Sequence, residues 1–90
     1  MKDRKLSNSA LFDMVRNESG RQLDKWGVQD RHAFEWLAYT TEELGELAQA
    51  ISEWVYRGGS PKNVIKEAIQ TATLSLKIAE IFAEEELCQK

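Results

Sequence analysis

Two long helical patterns joined by a very short turn set the strongest constraint on how this chain can fold. The turn is Gly58-Gly59-Ser60, and Pro61 follows it directly. Glycine commonly ends helices, and serine followed by proline is typical of a helix start, because proline lacks an N–H that the first turn would leave unpaired. The two helices are therefore expected to lie antiparallel, as a helical hairpin.

The sequence on either side of this turn predicts an all-α chain. The second helix is expected from about residue 31 to residue 57, with Asp30 as its N-cap, and the third from residue 61 to about residue 85. No alternating apolar run bounded by turn residues indicates a β-strand.

A first helix is predicted upstream of these two. Ser7, Asn8 or Ser9 can cap its start, and it should end near Gly27, whereas residues 1–6 are expected to be frayed. Its apolar residues repeat at helical spacing. They are Leu11, Phe12, Val15, Leu23 and Trp26.

Composition points to one small domain, residues 1–90, in a reducing cytoplasm. A chain of 90 residues buries only about 60–65% of its unfolded surface, so partner chains would help to stabilise it. The formal net charge of −3 and the scattered lysines and arginines argue against a DNA or RNA partner. No apolar run approaches the roughly 18 residues of a membrane span. The single cysteine, Cys88, cannot form an internal disulfide.

The third helix has apolar residues on two sides, which indicates that it is buried on two sides. With about 100° per residue, one stripe comprises Ile65, Ile69, Ala72, Leu76, Ala79 and Ala83. The other comprises Glu67, Gln70, Thr71, Leu74, Ile78 and Ile81. Another subunit is the simplest cover for the second side, so the three helices are expected to be part of an oligomeric bundle, a homodimer or a homotetramer.

Acidic residues interrupt the apolar stripe of the second helix. Glu43 falls within the stripe and Glu46 lies at its border one turn later, whereas Glu42 points away. The stripe also contains Trp36, Tyr39, Leu47, Ala50 and Trp54. Because an unpaired charge in apolar surroundings costs several kcal/mol or more, a cation is expected beside these acids.

A second polar pair, Glu67 and Gln70, has the same three-residue spacing on the third helix. Oxygen ligands at this density suit Mg²⁺, with Mn²⁺ as the second choice, and the absence of His and Cys from these two motifs excludes a zinc site. Counted from the turn, Glu46 and Gln70 are about four residues, or roughly 6 Å, out of register. A longer connection or a helix tilt would have to absorb that offset.

The order and spacing of these motifs resemble the MazG-like nucleotide pyrophosphohydrolases, of the all-α NTP pyrophosphatase superfamily. The resemblance covers roughly residues 11–82. Its parts are the EELGEL run at 42–47, an ExxQ after 20 intervening residues, and an upstream segment. That segment contributes Trp26, Gly27, Gln29, His32, Glu35, Trp36 and Leu37.

This resemblance implies Mg²⁺-dependent hydrolysis of a (d)NTP between the α and β phosphates, in nucleotide-pool control or removal of unwanted nucleotides. Glu43, Glu46 and Glu67 match the family's ExxE and ExxD motifs, whereas Gln70 replaces the final acid. These four residues are the expected metal ligands, and Glu43 or Glu46 is expected to orient the attacking water. With one carboxylate fewer, the site should bind metal more weakly or hold a single ion.

Substrate-binding residues are expected near the motifs. Lys25, Arg21 and Lys66 are the candidate cations for the phosphates, and Trp26 or Trp36 could stack on the base.

Other interpretations of the same residues stay open. Glu43 could pair with a lysine or arginine of the first helix, and His32 fits a capping or surface role better than a catalytic one. At the level of function, Gln70 suggests a nucleotide-binding protein that no longer turns over, and the two-sided third helix would also suit a structural oligomer.

Overall fold

The computed structural model describes residues 1–88, and these residues form three α-helices and no strand. Helix α1 spans Ser9–Trp26, α2 spans Ala33–Arg57 and α3 spans Pro61–Cys88. The predicted all-α class is confirmed, and α3 continues three residues beyond its predicted end.

Helix α1 is capped at both ends by residues that the sequence indicates. The Asn8 side chain accepts a hydrogen bond from the backbone N–H of Ala10 (3.1 Å), so Asn8 is the cap among the three candidates. At the other end Gly27 has φ +71° and donates its N–H to the carbonyl of Leu23 (2.8 Å). A positive φ is readily adopted by glycine, which explains why the helix ends here.

The prediction that Asp30 caps α2 is wrong, because His32 is the cap. Its Nδ1 accepts from the N–H of Phe34 (3.2 Å), and Glu35 accepts from the N–H of His32 (3.2 Å). This reciprocal capping box satisfies donors at the start of the helix, and Asp30 lies two residues too early to reach them. The capping role predicted for His32 is confirmed.

The turn between α2 and α3 folds back along the last turn of α2. Gly58 is left-handed (φ +70°, ψ +24°), and Gly59 donates its N–H to the carbonyl of Glu53 (2.9 Å). A Cβ at Gly59 would lie only 3.0 Å from backbone atoms of Glu53 and Trp54, so this close approach favours glycine. The start of α3 therefore lies beside the last turn of α2. As a result, the residues that face each other across the hairpin differ from those expected by counting residues outward from the turn.

Helix α3 is the central element, because it packs against both α1 and α2, whereas within residues 1–88 no Cα atom of α1 lies within 8 Å of α2. The core is small: among the residues whose burial the structure describes, only Ala50, Thr73 and Leu74 are buried. A polar contact also joins α1 to α3, where the Lys77 ammonium donates to the side-chain oxygen of Gln22 (2.6 Å).

The described chain is elongated and has an unusually large surface. It measures 49 × 27 × 23 Å, and its radius of gyration of 15.0 Å exceeds the value of about 12 Å typical of a compact domain of this length. Its accessible surface of 7529 Å² exceeds by about 2,000 Å² the area typical of a folded monomer of this mass. Within residues 1–88, none of the helices has the length and apolarity that crossing a bilayer requires.

Candidate functional site

Three carboxylates from the two long helices converge at one place. Glu43 and Glu46 come from α2 and Glu67 from α3, and one oxygen from each lies within 4.8 Å of the other two. Glu43 and Glu67 are half-buried, whereas Glu46 is exposed. The spacing of three residues on α2 places its two acids on adjacent turns of one face, as the sequence indicates.

Gln70 completes this cluster and defines the register of the hairpin. With its amide nitrogen turned towards the acids, it donates to Oε2 of Glu43 (3.1 Å) and to Oε2 of Glu67 (3.0 Å). Gln70 is therefore opposite Glu43, not level with Glu46. The turn folds back onto Glu53, so Gln70 reaches Glu43, and Glu46 and Gln70 remain out of register.

Negative charge is concentrated in this cluster, and no lysine or arginine among residues 1–88 forms a salt bridge with it. Burial raises the pKa of Glu43 to about 7, and the charges of Glu46 and Glu67 add to the effect. Burial and Glu46 also raise the pKa of Glu67, against the opposing influence of Lys66. A carboxylate in such surroundings takes up a proton or binds a cation.

The ion pair considered for Glu43 does not form, because the nearby arginine of α1 binds another acid. Arg21 donates to both oxygens of Glu18 (2.9 and 2.7 Å), and Gln22 donates to the same carboxylate (2.8 Å). The hydrogen bond from Arg21 is the main reason that the pKa of Glu18 is lowered. Among residues 1–88 the only other salt bridge joins Arg16 to Asp13, so Glu43 has none.

A cavity of about 810 Å³ opens beside the cluster, between α1, α2, α3 and the loop that joins α1 to α2. Its volume lies within the usual range for small-molecule sites. Glu43 and Gln70 line one part of it, and the predicted binding residues Arg21, Trp26 and Trp36 line other parts. Residues predicted from separate parts of the sequence therefore line the same cavity.

The other two predicted substrate-binding residues lie outside this cavity. The Lys25 ammonium sits over the ring of Trp26, 4.7 Å from its centroid. Lys66 lines a separate groove of about 260 Å³ between α1 and α3, which it shares with Arg21 and Gln70. Glu46 and Glu67 belong to the carboxylate cluster but do not line the large cavity.

Sequence reasoning missed two cations of the cavity, Arg31 and Lys77. Arg31 donates to the hydroxyl of Tyr39 (2.9 Å) and lies over its ring, 4.4 Å from the centroid. It belongs to the loop, where no periodic pattern could have indicated it. Lys77 follows Gln70 by seven residues, two helical turns, so periodicity could have placed it on the same face. Burial lowers the pKa of Lys77.

Comparison with protein family models, with curated proteins and with solved structures gives no match for this chain.

Proposed function

We propose that this protein is a Mg²⁺-dependent nucleoside triphosphate pyrophosphohydrolase of the MazG-like type, which converts a (d)NTP and water to the (d)NMP and pyrophosphate. The observation that carries the proposal is the convergence of Glu43, Glu46 and Glu67 beside a cavity large enough for a nucleotide. A role in control of the nucleotide pool, or in removal of unwanted nucleotides, would place the protein in the cytoplasm.

The donor set fits a hard divalent cation. Opposed oxygens around an octahedral Mg²⁺ lie about 4.2 Å apart, since each metal–oxygen bond is 2.0–2.1 Å. Ligand oxygens of Glu43, Glu46 and Glu67 lie within 4.8 Å of one another, so small side-chain rotations would close the site. Mn²⁺ has similar ligand preferences. When bound, the metal would supply positive charge for the phosphates and acidify a nearby water.

Glu43 and Glu46 are the proposed catalytic residues. One of them orients the water that attacks the phosphoryl group, and the pyrophosphate leaves with the electrons of the broken P–O bond. Burial and the neighbouring acids raise the pKa of Glu43 to about 7 in the protein without metal, and a bound cation would lower it, so Glu43 would be ionised and able to accept a hydrogen bond from the water. Glu67 and Gln70 would bind the metal from the α3 side of the site.

The cavity offers aromatic and cationic groups for the rest of the substrate. Trp26 and Trp36 provide faces on which a base can stack, and stacking tolerates different bases. Arg21 is held by Glu18 and would face the phosphates nearest to Glu43. Lys25 and Lys66 remain proposed contributors to the electrostatic attraction of the substrate, from positions outside the cavity lining.

A nucleotide-binding protein without turnover is the second candidate. It is favoured by Gln70, whose amide nitrogen bridges Glu43 and Glu67 where the family motif would supply a fourth carboxylate. An amide donor lowers the repulsion between two acids but adds no negative charge for a second metal ion. Under this alternative, nucleotide and Mg²⁺ would bind together but pyrophosphate would not be released.

The proposal includes a homodimer or homotetramer, supported by the large accessible surface and small core of the described chain. A functional assembly of this kind would bury apolar residues that the single chain leaves in water.

The test is to incubate the protein with Mg²⁺ and a panel of canonical and modified (d)NTPs, and to separate the products by ion-exchange chromatography. We expect monophosphate and pyrophosphate from the wild type, at least a 100-fold loss of rate in Glu43→Gln, and an unchanged rate in Glu42→Gln. The control is matched, since Glu42 is the exposed neighbour on the same helix. Nucleotide binding without product would support the second candidate, and neither binding nor product would refute both.

A further inference from the structure

Gln29, in the loop between α1 and α2, is bonded to the chain through its side-chain oxygen. It is half-buried and lines the large cavity. The oxygen accepts a hydrogen bond from Nε of Arg31 (2.5 Å), whereas the nitrogen of the same amide has no hydrogen-bond partner within residues 1–88. The two N–H groups of this amide are therefore open to a molecule in the cavity.

Arg31 determines which end of the Gln29 amide is left open. An arginine side chain has only N–H donors, so the amide must turn its oxygen towards it. Arg31 is held in turn, because it also donates to the hydroxyl of Tyr39 (2.9 Å) and lies over the ring of that residue, 4.4 Å from the centroid. A molecule beside Gln29 therefore meets hydrogen-bond donors rather than an acceptor.

The other two glutamines of the cavity use their amide nitrogens within the chain. The nitrogen of Gln22 donates to Glu18 (2.8 Å), and that of Gln70 donates to two acids of the carboxylate cluster (3.1 and 3.0 Å). Of the three glutamines that line the cavity in residues 1–88, Gln29 alone has its amide N–H groups free.

The contacts of the loop lie at the end of the cavity away from the carboxylate cluster. Tyr39 precedes Glu43 by four residues, about one helical turn, and the side chains of a helix point towards its N-terminus. The hydroxyl that binds Arg31 therefore extends away from Glu43, towards the turn that carries Trp36. Under the proposed function, on which this inference rests, the phosphates lie at the carboxylates, so the base lies at the loop end with Gln29.

We propose that Gln29 makes the protein select nucleotides whose base has a carbonyl group where adenine and cytosine have an amino group. These bases are the 6-oxopurines and the 4-oxopyrimidines. Their carbonyl oxygen accepts a hydrogen bond from the free N–H groups of Gln29. The amino group of adenine or cytosine would place N–H groups against N–H groups, which leaves donors on both sides without an acceptor.

The selected class includes the products of base deamination as well as guanine and thymine. Deamination replaces the amino group of adenine or cytosine with a carbonyl and gives hypoxanthine or uracil. A site that donates a hydrogen bond to its ligand rejects the analogue that leaves the donor unpaired. Because Gln29 is half-buried and water can partly replace the lost acceptor, we expect a preference of about tenfold.

The test compares binding of two matched pairs of nucleotides by calorimetry in the presence of Mg²⁺. The probes are the α,β-imido analogues of dITP and dATP, and of dUTP and dCTP, which cannot be cleaved between the α and β phosphates. The assay therefore reports base preference separately from hydrolysis. We expect the carbonyl member of each pair to bind about tenfold more tightly than the amino member.

Variants of the loop assign this preference to the amide. Gln29→Met keeps a side chain of similar length without polar atoms, so the affinity ratio within each pair should fall to about one. Gln29→Glu still accepts from Arg31 and turns its second oxygen to the cavity, so the ratio should reverse in favour of the amino bases. Arg31→Met leaves the amide free to turn and should also reduce the ratio to about one.

Gln22→Met is the matched control, because this glutamine lines the same cavity but its amide is bonded on both sides. It should keep the wild-type ratio, with helicity checked by circular dichroism. Equal binding within the pairs by the wild type, or a preference that survives in Gln29→Met, would overturn the inference and leave the proposed hydrolysis standing. Loss of the preference in Gln22→Met as well would also overturn it. If no analogue binds, both the inference and the nucleotide-directed function fail.

Discussion

The shifted pKa of Glu43 predicts that the metal-free protein loses stability as the pH rises through neutrality. In the folded chain Glu43 keeps its proton up to a pH of about 7, whereas in the unfolded chain it releases it near pH 4.5. The folded state therefore binds more protons between these two values. Stability then falls as the pH increases from about 4.5 to 7 and stays low above that.

The size of this effect follows from the shift and from the exposure of the site. A rise of about 2.5 in pKa corresponds to at most about 3.4 kcal/mol. Glu43 is only half-buried, and solvent screens its interaction with the other acids, so we expect about 1–2 kcal/mol. Glu18 has its pKa shifted downward, so its contribution is lost only in acid, below the range of the experiment.

Urea unfolding at pH 5 and pH 8, at one protein concentration and without divalent metal, measures this difference. Glu43→Gln should be about 1–2 kcal/mol more stable than the wild type at pH 8 and nearly equal to it at pH 5. Glu42→Gln should keep the pH dependence of the wild type. Added Mg²⁺ should stabilise the wild type at pH 8 far more than Glu43→Gln. Equal wild-type stability at both pH values, or an undiminished pH dependence in Glu43→Gln, would refute the reasoning.

Four other substitutions test the turn, the ligand set and the cavity, one of them as a control. Gly59→Ala should destabilise the protein by about 1–2 kcal/mol in urea unfolding, because its Cβ would press on the backbone of α2. Gly20→Ala is the control: its Cβ would enter open space, so it should stabilise the protein by up to about 1 kcal/mol. Gln70→Asp restores the fourth carboxylate and should tighten Mg²⁺ binding in calorimetry by about tenfold; unchanged affinity would exclude Gln70 from the metal site. Trp26→Ala should raise KM about tenfold with little change in kcat, since it removes a stacking face; an unchanged KM would exclude Trp26 as the base platform.

Much of the fold follows from local signals in the sequence. Asn8 and Gly27 delimit α1, and Gly58 and Pro61 delimit the turn between α2 and α3, because each has a conformational preference that acts over one or two residues. The prediction at Asp30 failed for a local reason as well. A neutral histidine can accept a hydrogen bond at the helix start, and Glu35 lies three residues after His32, where it completes the capping box.

The candidate site was only partly predictable. The three-residue spacing places Glu43 with Glu46 and Glu67 with Gln70, since residues on one helix have fixed relative positions. Which acids meet across the hairpin depends on how Gly59 packs on Glu53, and no periodic pattern encodes that contact.

The position of α3 between the other two helices has a consequence for motion. No Cα atom of α1 lies within 8 Å of α2, so α1 is attached to the α2–α3 hairpin through α3 alone. The hydrogen bond from Lys77 to Gln22 is part of that attachment. Amide hydrogens of α1 are therefore expected to exchange faster than those of α2 and α3. Movement of α1 away from α3 would open the cavity while Glu43, Glu46 and Glu67 keep their positions, because α2 and α3 hold all three carboxylates.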